Sequence, residues 1–199
     1  MLSSLKIENV AVIEKAEILF IGEAPGEKED LSGTPFVGRA GQLLDKFLFA
    51  VDIPRESIYI ANILKCRPPK NRDPKPDEED ACMDYLREQV RLIKPKMIVC
   101  LGRISAQRLI DPNYRITKEH GQWVCSNGVW MTAIYHPSAL LRDPSKRPET
   151  FEDLLCIRDK IQECIKNRDK ILKEYAKFRE KNFCLAEQDV NRFLEGING

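Results

Sequence analysis

The chain has 199 residues, and its 32 Lys and Arg are nearly cancelled by 31 Asp and Glu. That length buries roughly 70% of the unfolded surface and suits one α/β domain, while the near-zero charge balance excludes a bulk polycation, so any nucleic-acid face must come from how charge is distributed. No apolar run reaches membrane-spanning length, the opening Met1-Leu2-Ser3-Ser4-Leu5-Lys6 has no signal-like apolar stretch, and seven scattered cysteines do not form a secreted disulfide framework; a cytosolic, monomeric protein with no membrane association is expected.

Residues 17–21 (Glu-Ile-Leu-Phe-Ile) read as a buried strand running into a glycine-rich loop, Gly22 to Gly38. Over 39–51, Leu43, Leu44, Phe47 and Leu48 recur at helical spacing. Residues 57–65 read as a second strand, and the Pro-rich stretch from Arg67 to Pro76 is a poor place for a helix. Asp77 is expected to cap a helix that ends near Ile93. Lys96-Met-Ile-Val-Cys-Leu101 reads as a third buried strand, closed by Gly102 and followed by a short helix over 104–110. Strands over 122–126 and 129–135 are joined by Ser126-Asn127-Gly128, a strong turn signal. Beyond His136-Pro137 a loop is expected to Pro148, then a long helix from about Glu149 to about Lys181. A main domain over 1–165 and a charged helical extension over 166–199 follow from the Lys/Glu-rich tail.

Strands alternating with helices predict an α/β fold: three layers, α/β/α, around a central mostly parallel sheet. Sites in such sheets form in the loops at the carboxyl ends of strands. Three unusual loops fall there, after Ile21, after Lys65 and after Tyr135.

Five glycines and two prolines between Gly22 and Gly41 specify a tight backbone that a ligand could approach closely. The stretch has neither the Lys-Ser/Thr ending of a P-loop nor the spacing of a dinucleotide fingerprint. Phe36 is an aromatic in a Gly/Pro loop, either an anchor for the loop or a stacking face. Asn62 is polar in an otherwise apolar strand; its amide offers a donor and an acceptor side by side, to a ligand or to a turn. His136 ends a strand before Pro137, while His120 is assigned no function.

Four segments, in order, carry a resemblance: Gly22-Glu-Ala-Pro-Gly26 through Gly41, Asn62-Ile-Leu-Lys-Cys66-Arg-Pro-Pro-Lys-Asn71-Arg-Asp-Pro, Leu101-Gly102, and His136-Pro-Ser-Ala-Leu140-Leu141-Arg142. Over residues 17 to about 160 the chain resembles the family 4 uracil-DNA glycosylases, which flip uracil out of DNA and hydrolyse its N-glycosidic bond. The resemblance implies base-excision repair of uracil-containing DNA, with these roles. The main-chain amides of Glu23 and Ala24 would hold the uracil oxygen, or the Glu23 side chain would support the loop; Gly22 would belong to the same substrate-binding turn, and Glu29 would crowd C5 and exclude the thymine methyl. Phe36 would stack on the base, Asn62 would read O4 and N3–H, and His136 would face O2 as charge builds there. The most efficient relatives have an Asp where Ala24 stands, so water activation falls to another group or to none, with Asn71 a candidate for holding the water. Leu140 and Leu141 read as an exposed pair, one of which would supply a wedge into the base stack unless both begin the packing of the following helix, and Arg142, Lys146 and Arg147 would meet phosphates.

In that family a [4Fe–4S] cluster takes four cysteines, two of them where Cys66 and Cys82 stand and two in an upstream Cys-x-x-Cys pair that this chain lacks. A truncated start, a lost cluster or substitute ligands would each account for this. Cys100 and Cys125 read as buried core thiols, Cys156 and Cys164 sit eight apart on the predicted long helix, and Cys184 lies in the tail. Two readings from other classes stand beside the enzyme. A DNA-binding or adaptor protein with a decayed pocket would not need Asn62, Phe36 and His136 together. A nucleotide-binding protein would need a basic residue in the turn of the glycine loop and a Mg²⁺ ligand at a known spacing. A related branch that cross-links covalently to uracil-DNA carries a basic insertion that is absent after Gly38.

Overall fold

The computed structural model describes residues 17–166 and, beyond them, 170, 173, 174, 176 and 177. Its centre is the run Ile18–Gly22, β1, in which every residue is buried because neighbouring strands and helices cover it on all sides. β2 (Ile58–Asn62) and β3 (Met97–Leu101) pair with it in parallel on either side. β5 (Val129–Ile134) continues the parallel set beyond β3, and β4 (Val124–Ser126) closes the edge antiparallel to β5. The order is β2-β1-β3-β5-β4, so the chain reverses its direction of travel across the sheet at β1. Such a switch point opens a crevice at the carboxyl ends of the strands.

Alternation along β1 sends residues to both faces. Leu19 and Ile21 join one cluster with Met83, Leu86, Cys100 and Ala106, from helices α3 (Pro76–Ile93) and α4 (Arg103–Leu109) and from β3. Phe20, between them, is fully buried as well. Helix α2 (Arg39–Ala50) buries Leu44 and Leu48. It lies against the short helix α6 (Pro137–Arg142). The expected three-layer arrangement is therefore present, with helices flanking a five-stranded, mostly parallel sheet.

Several local readings need correction. The glycine loop contains a helix of its own, α1 (Glu27–Ser32), ended by Gly33 in the left-handed region. β2 stops at Asn62 rather than Lys65. Lys75, not Asp77, caps α3, with Pro76 at its first position and Glu78 closing a capping box onto the Lys75 main chain. The expected loop from Pro137 to Pro148 holds α6 and a 3₁₀ turn at Pro144–Lys146, because His136 and Asp143 each accept a main-chain N–H as side-chain caps. A short helix, α5 (Ile116–Glu119), precedes β4. Cys125 is exposed, since edge strand β4 is exposed throughout, whereas Cys100 is buried as expected.

The chain divides into two compact units, Met1–Cys156 and Ile157–Gly199. Residues 147–156 are helical and close the first unit; in the second, 157–166 and the later described positions are helical. The expected end of the long helix near Lys181, the body of the charged extension and Cys184 lie outside the described residues.

Candidate active site

A cavity of about 400 Å³ opens at the carboxyl ends of the strands. Glu23, Ala24, Glu29, Phe36, Asn62, Asn71, His136 and Arg142 all line it, so residues more than a hundred positions apart in sequence meet at one place. Gly22 stands directly behind them. The register explains the meeting: Gly22 pairs with Asn62 at the ends of β1 and β2, and the Ile63 N–H donates to the Gly22 carbonyl over 3.0 Å.

The floor is tight. A Cβ at Gly22 would stand 2.5 Å from Asn62 Oδ1 and 2.8 Å from Phe36 Cζ. Glycine is thus required there for the Phe36 ring and the Asn62 amide to reach the strand end together. Phe36 itself has φ 57°, a left-handed backbone unusual for an aromatic. It is 7% exposed, and its ring centroid lies 5.7 Å from that of His136. Asn62 is also 7% exposed, and its Oδ1 is buried without a hydrogen-bond partner. A buried acceptor left unpaired costs about 1–3 kcal/mol, so this amide stands ready for a ligand that donates to it.

His136 caps α6. The Ser138 N–H donates to its Nδ1 over 3.1 Å. That bond makes Nδ1 an acceptor and leaves the ring proton on Nε2. Burial, with help from the Arg142 charge, pushes the imidazole down to about 4. The ring is therefore a neutral donor at neutral pH. Gly102, at φ 92°, gives it room; a Cβ at that position would lie 2.8 Å from His136 Cβ.

Glu29 has a structural job as well as a place in the wall. Its carboxylate accepts the Gly38 N–H over 2.6 Å and staples α1 to the far end of the glycine loop. Burial and then nearby Asp73 raise the carboxyl of Glu23. The carbonyl of Glu23 accepts the Leu64 N–H over 2.9 Å, tying the loop to the end of β2. Asn71 has φ 51° and takes the Arg67 Nε–H on its Oδ1 over 2.8 Å, leaving its amide N–H groups for other partners. The rest of the Pro-rich loop is held from outside. Arg103 pairs with Asp73 at 2.6 Å and Arg72 with Glu78 at 2.5 Å. Arg103 also lines the cavity and was not foreseen from sequence, where a helix-start arginine has no distinguishing pattern.

The proposed wedge and phosphate residues separate. Leu140 is 1% exposed and packs into the core, which corrects the expectation of two exposed leucines. The turn of α6 that buries Leu140 leaves Leu141 only half-buried. Arg142 is exposed at the mouth of the cavity. Lys146 pairs with Glu149 at 3.3 Å and lies over the Tyr135 ring, and Arg147 donates to the Leu140 carbonyl over 3.2 Å. His120, without an assigned role, bridges Asp153 at 2.8 Å and Glu149 at 3.4 Å.

Cys66 is exposed and Cys82 half-buried. The Lys65 N–H donates to Cys82 Sγ over 3.4 Å, which puts Cys82 beside the residue preceding Cys66. Among the described residues no three or more His, Cys, Asp or Glu side chains gather to hold a metal. Two thiols do not fit the four-thiolate requirement of a [4Fe–4S] cluster. No helix among the described residues is long and apolar enough to cross a membrane.

The uracil DNA glycosylase superfamily profile matches residues 11–157. A type-4 uracil-DNA glycosylase of Archaeoglobus fulgidus is 49% identical over 150 residues, covering 70% of this chain and 74% of that protein. One from Thermotoga maritima is 46% identical over 143 residues, covering 69% and 73%. One from Pyrobaculum aerophilum is 41% identical over 148 residues, covering 70% and 76%.

Proposed function

The chain belongs to the uracil DNA glycosylase superfamily, in its type-4 branch, and on that premise we propose that it removes uracil from DNA by hydrolysing the N-glycosidic bond of a flipped nucleotide. The product is an abasic site for base-excision repair. The observation that carries the reading is the buried, unpaired Asn62 Oδ1 on the cavity floor. Uracil presents N3–H as a donor beside O4 as an acceptor, and the Asn62 amide complements both. Cytosine presents an acceptor and an amine in those places, so binding it would leave buried groups unpaired, which is how polar pockets discriminate strongly.

As the bond from C1′ to N1 breaks, its electron pair passes into the base and negative charge gathers on O2. A neutral His136 with its proton on Nε2 is suited to donate there, and it need not be deprotonated first. Such a donor is worth roughly 10²–10³ in rate. The Phe36 ring, beside His136, supplies a face for the base. Ala24 has no titratable group, so the attacking water is left to Asn71 and Glu23, both in the wall. The deoxyribose cation is electron-poor at this stage, so orienting water matters more than deprotonating it. Glu29 holds the loop that closes over C5. Beside the cavity, Leu141 takes the wedge role, and at its mouth Arg142 meets a phosphate, with Lys146 and Arg147 as further cations. No step is assigned to an iron–sulfur cluster. The scattered free thiols suit a reducing compartment, the cytosol.

The test is cleavage of a labelled strand carrying one uracil, developed with alkali. Wild type should cut, while Asn62→Ala and His136→Ala should each fall by roughly 10²-fold or more. Because the neutral imidazole persists down to about 4, the wild-type rate should show no loss from His136 between pH 8 and pH 5. A folded wild type that binds uracil-DNA without cutting it would overturn the enzymatic reading.

A further inference from the structure

We propose that Lys65 is a positioning residue for uracil recognition, acting from outside the cavity by pinning the main chain of Asn62. The proposal rests on the reading of Asn62 as the base-recognising amide. Among the described residues β2 is an edge strand, paired on one side with β1. The Ile63 N–H turns inward to Gly22, so the preceding carbonyl, that of Asn62, points to the open edge. Left alone it would bond to water and the strand end would be loose. The Lys65 ammonium closes that gap, donating to the Asn62 carbonyl over 2.8 Å.

The ammonium is held in turn. It donates to Gln89 Oε1 over 2.7 Å, and Gln89 Nε2 donates to the Tyr59 hydroxyl over 3.3 Å, back on β2. The Lys65 main-chain N–H is fixed separately by Cys82 Sγ. Cys82, Leu86 and Gln89 fall on one face of α3, so a single helix face grips both ends of this lysine. Lys65 is half-buried and does not line the cavity. Its effect on the base therefore passes through Asn62, whose amide must meet the uracil edge to within a few tenths of an ångström.

The experiment is a double-mutant cycle on single-turnover cleavage of uracil-DNA, with thermal melting of each variant alongside. Lys65→Met should lower cleavage by about tenfold and Gln89→Leu by about threefold, since misplacement by 1 Å can cost far more than either. In an Asn62→Ala background neither change should lower the residual rate further, because the group they position is gone. A general loss of packing would lower the rate equally in both backgrounds. If Lys65→Met does not fold, Gln89→Leu, which leaves the lysine in place, runs the same cycle. Wild-type cleavage in the positioning variants, or losses that add fully to Asn62→Ala, would overturn the inference. Full activity of Asn62→Ala itself would instead sink the recognition reading on which it rests.

Discussion

On the cavity floor, Asn62 and Phe36 are buried against Gly22 with no space between them, whereas at the rim Asp73, Arg103 and Arg142 are exposed, with Asp73 and Arg103 tied by an ion pair. The floor is set by strand register and close packing, which tolerate little change. Exposed ion pairs contribute about 0–1 kcal/mol each and exchange readily with other partners. A base must be read rigidly, while a phosphate backbone of varied sequence must be met by side chains free to rearrange. On the proposed function, the two regions divide specificity from attachment.

The sharpest way to break this contrast is Gly22→Ala. One methyl placed 2.5 Å from Asn62 Oδ1 must displace either the amide or the Phe36 ring. Uracil cleavage should fall by roughly 10²-fold. Single-turnover rates check this, and an unaffected rate would mean that the floor is softer than its packing implies.

Adjacent leucines on α6 offer the next test. Leu140→Ala removes a fully buried side chain and should cost about 2–5 kcal/mol of stability, read as a lower Tm. Leu141→Ala should leave the Tm nearly unchanged yet slow cleavage of uracil in duplex DNA more than in single strands, where no stack needs to be held open. If the two variants behave alike, the division between core and wedge fails.

The smallest expected effect lies at the rim. Arg142→Ala should weaken DNA binding about equally for all sequences and reduce the slope of log affinity against log salt by about one. A titration of binding against salt decides it; a change in base preference instead would move Arg142 from attachment to recognition.

Much of this was legible in the chain. Apolar runs such as Met97–Leu101 give buried strands because nothing but a covered sheet can hold them. Asn62 stood out because an amide in an apolar strand needs a partner, and His136 because it precedes a proline at a strand end. The resemblance to a known family named their roles. Leu140 and Leu141 were not separable by sequence: an apolar pair reads the same whichever member faces inward, and the phase of a one-and-a-half-turn helix is set by what it packs against. The caps at Lys75 and His136 were missed for a related reason, since neither residue type is a common cap.

By itself the sequence determined the α/β class, the order of strands and loops, and which side chains have chemistry to offer, because those follow from local periodicity and residue type. Only the tertiary structure decided the rest: that Gly22 leaves room for Phe36 and Asn62, that Ser138 fixes the His136 tautomer, and that Lys65 secures the strand edge behind the amide. These depend on distances between segments far apart in the chain, and such distances come into being only when parallel register and helix packing are both complete.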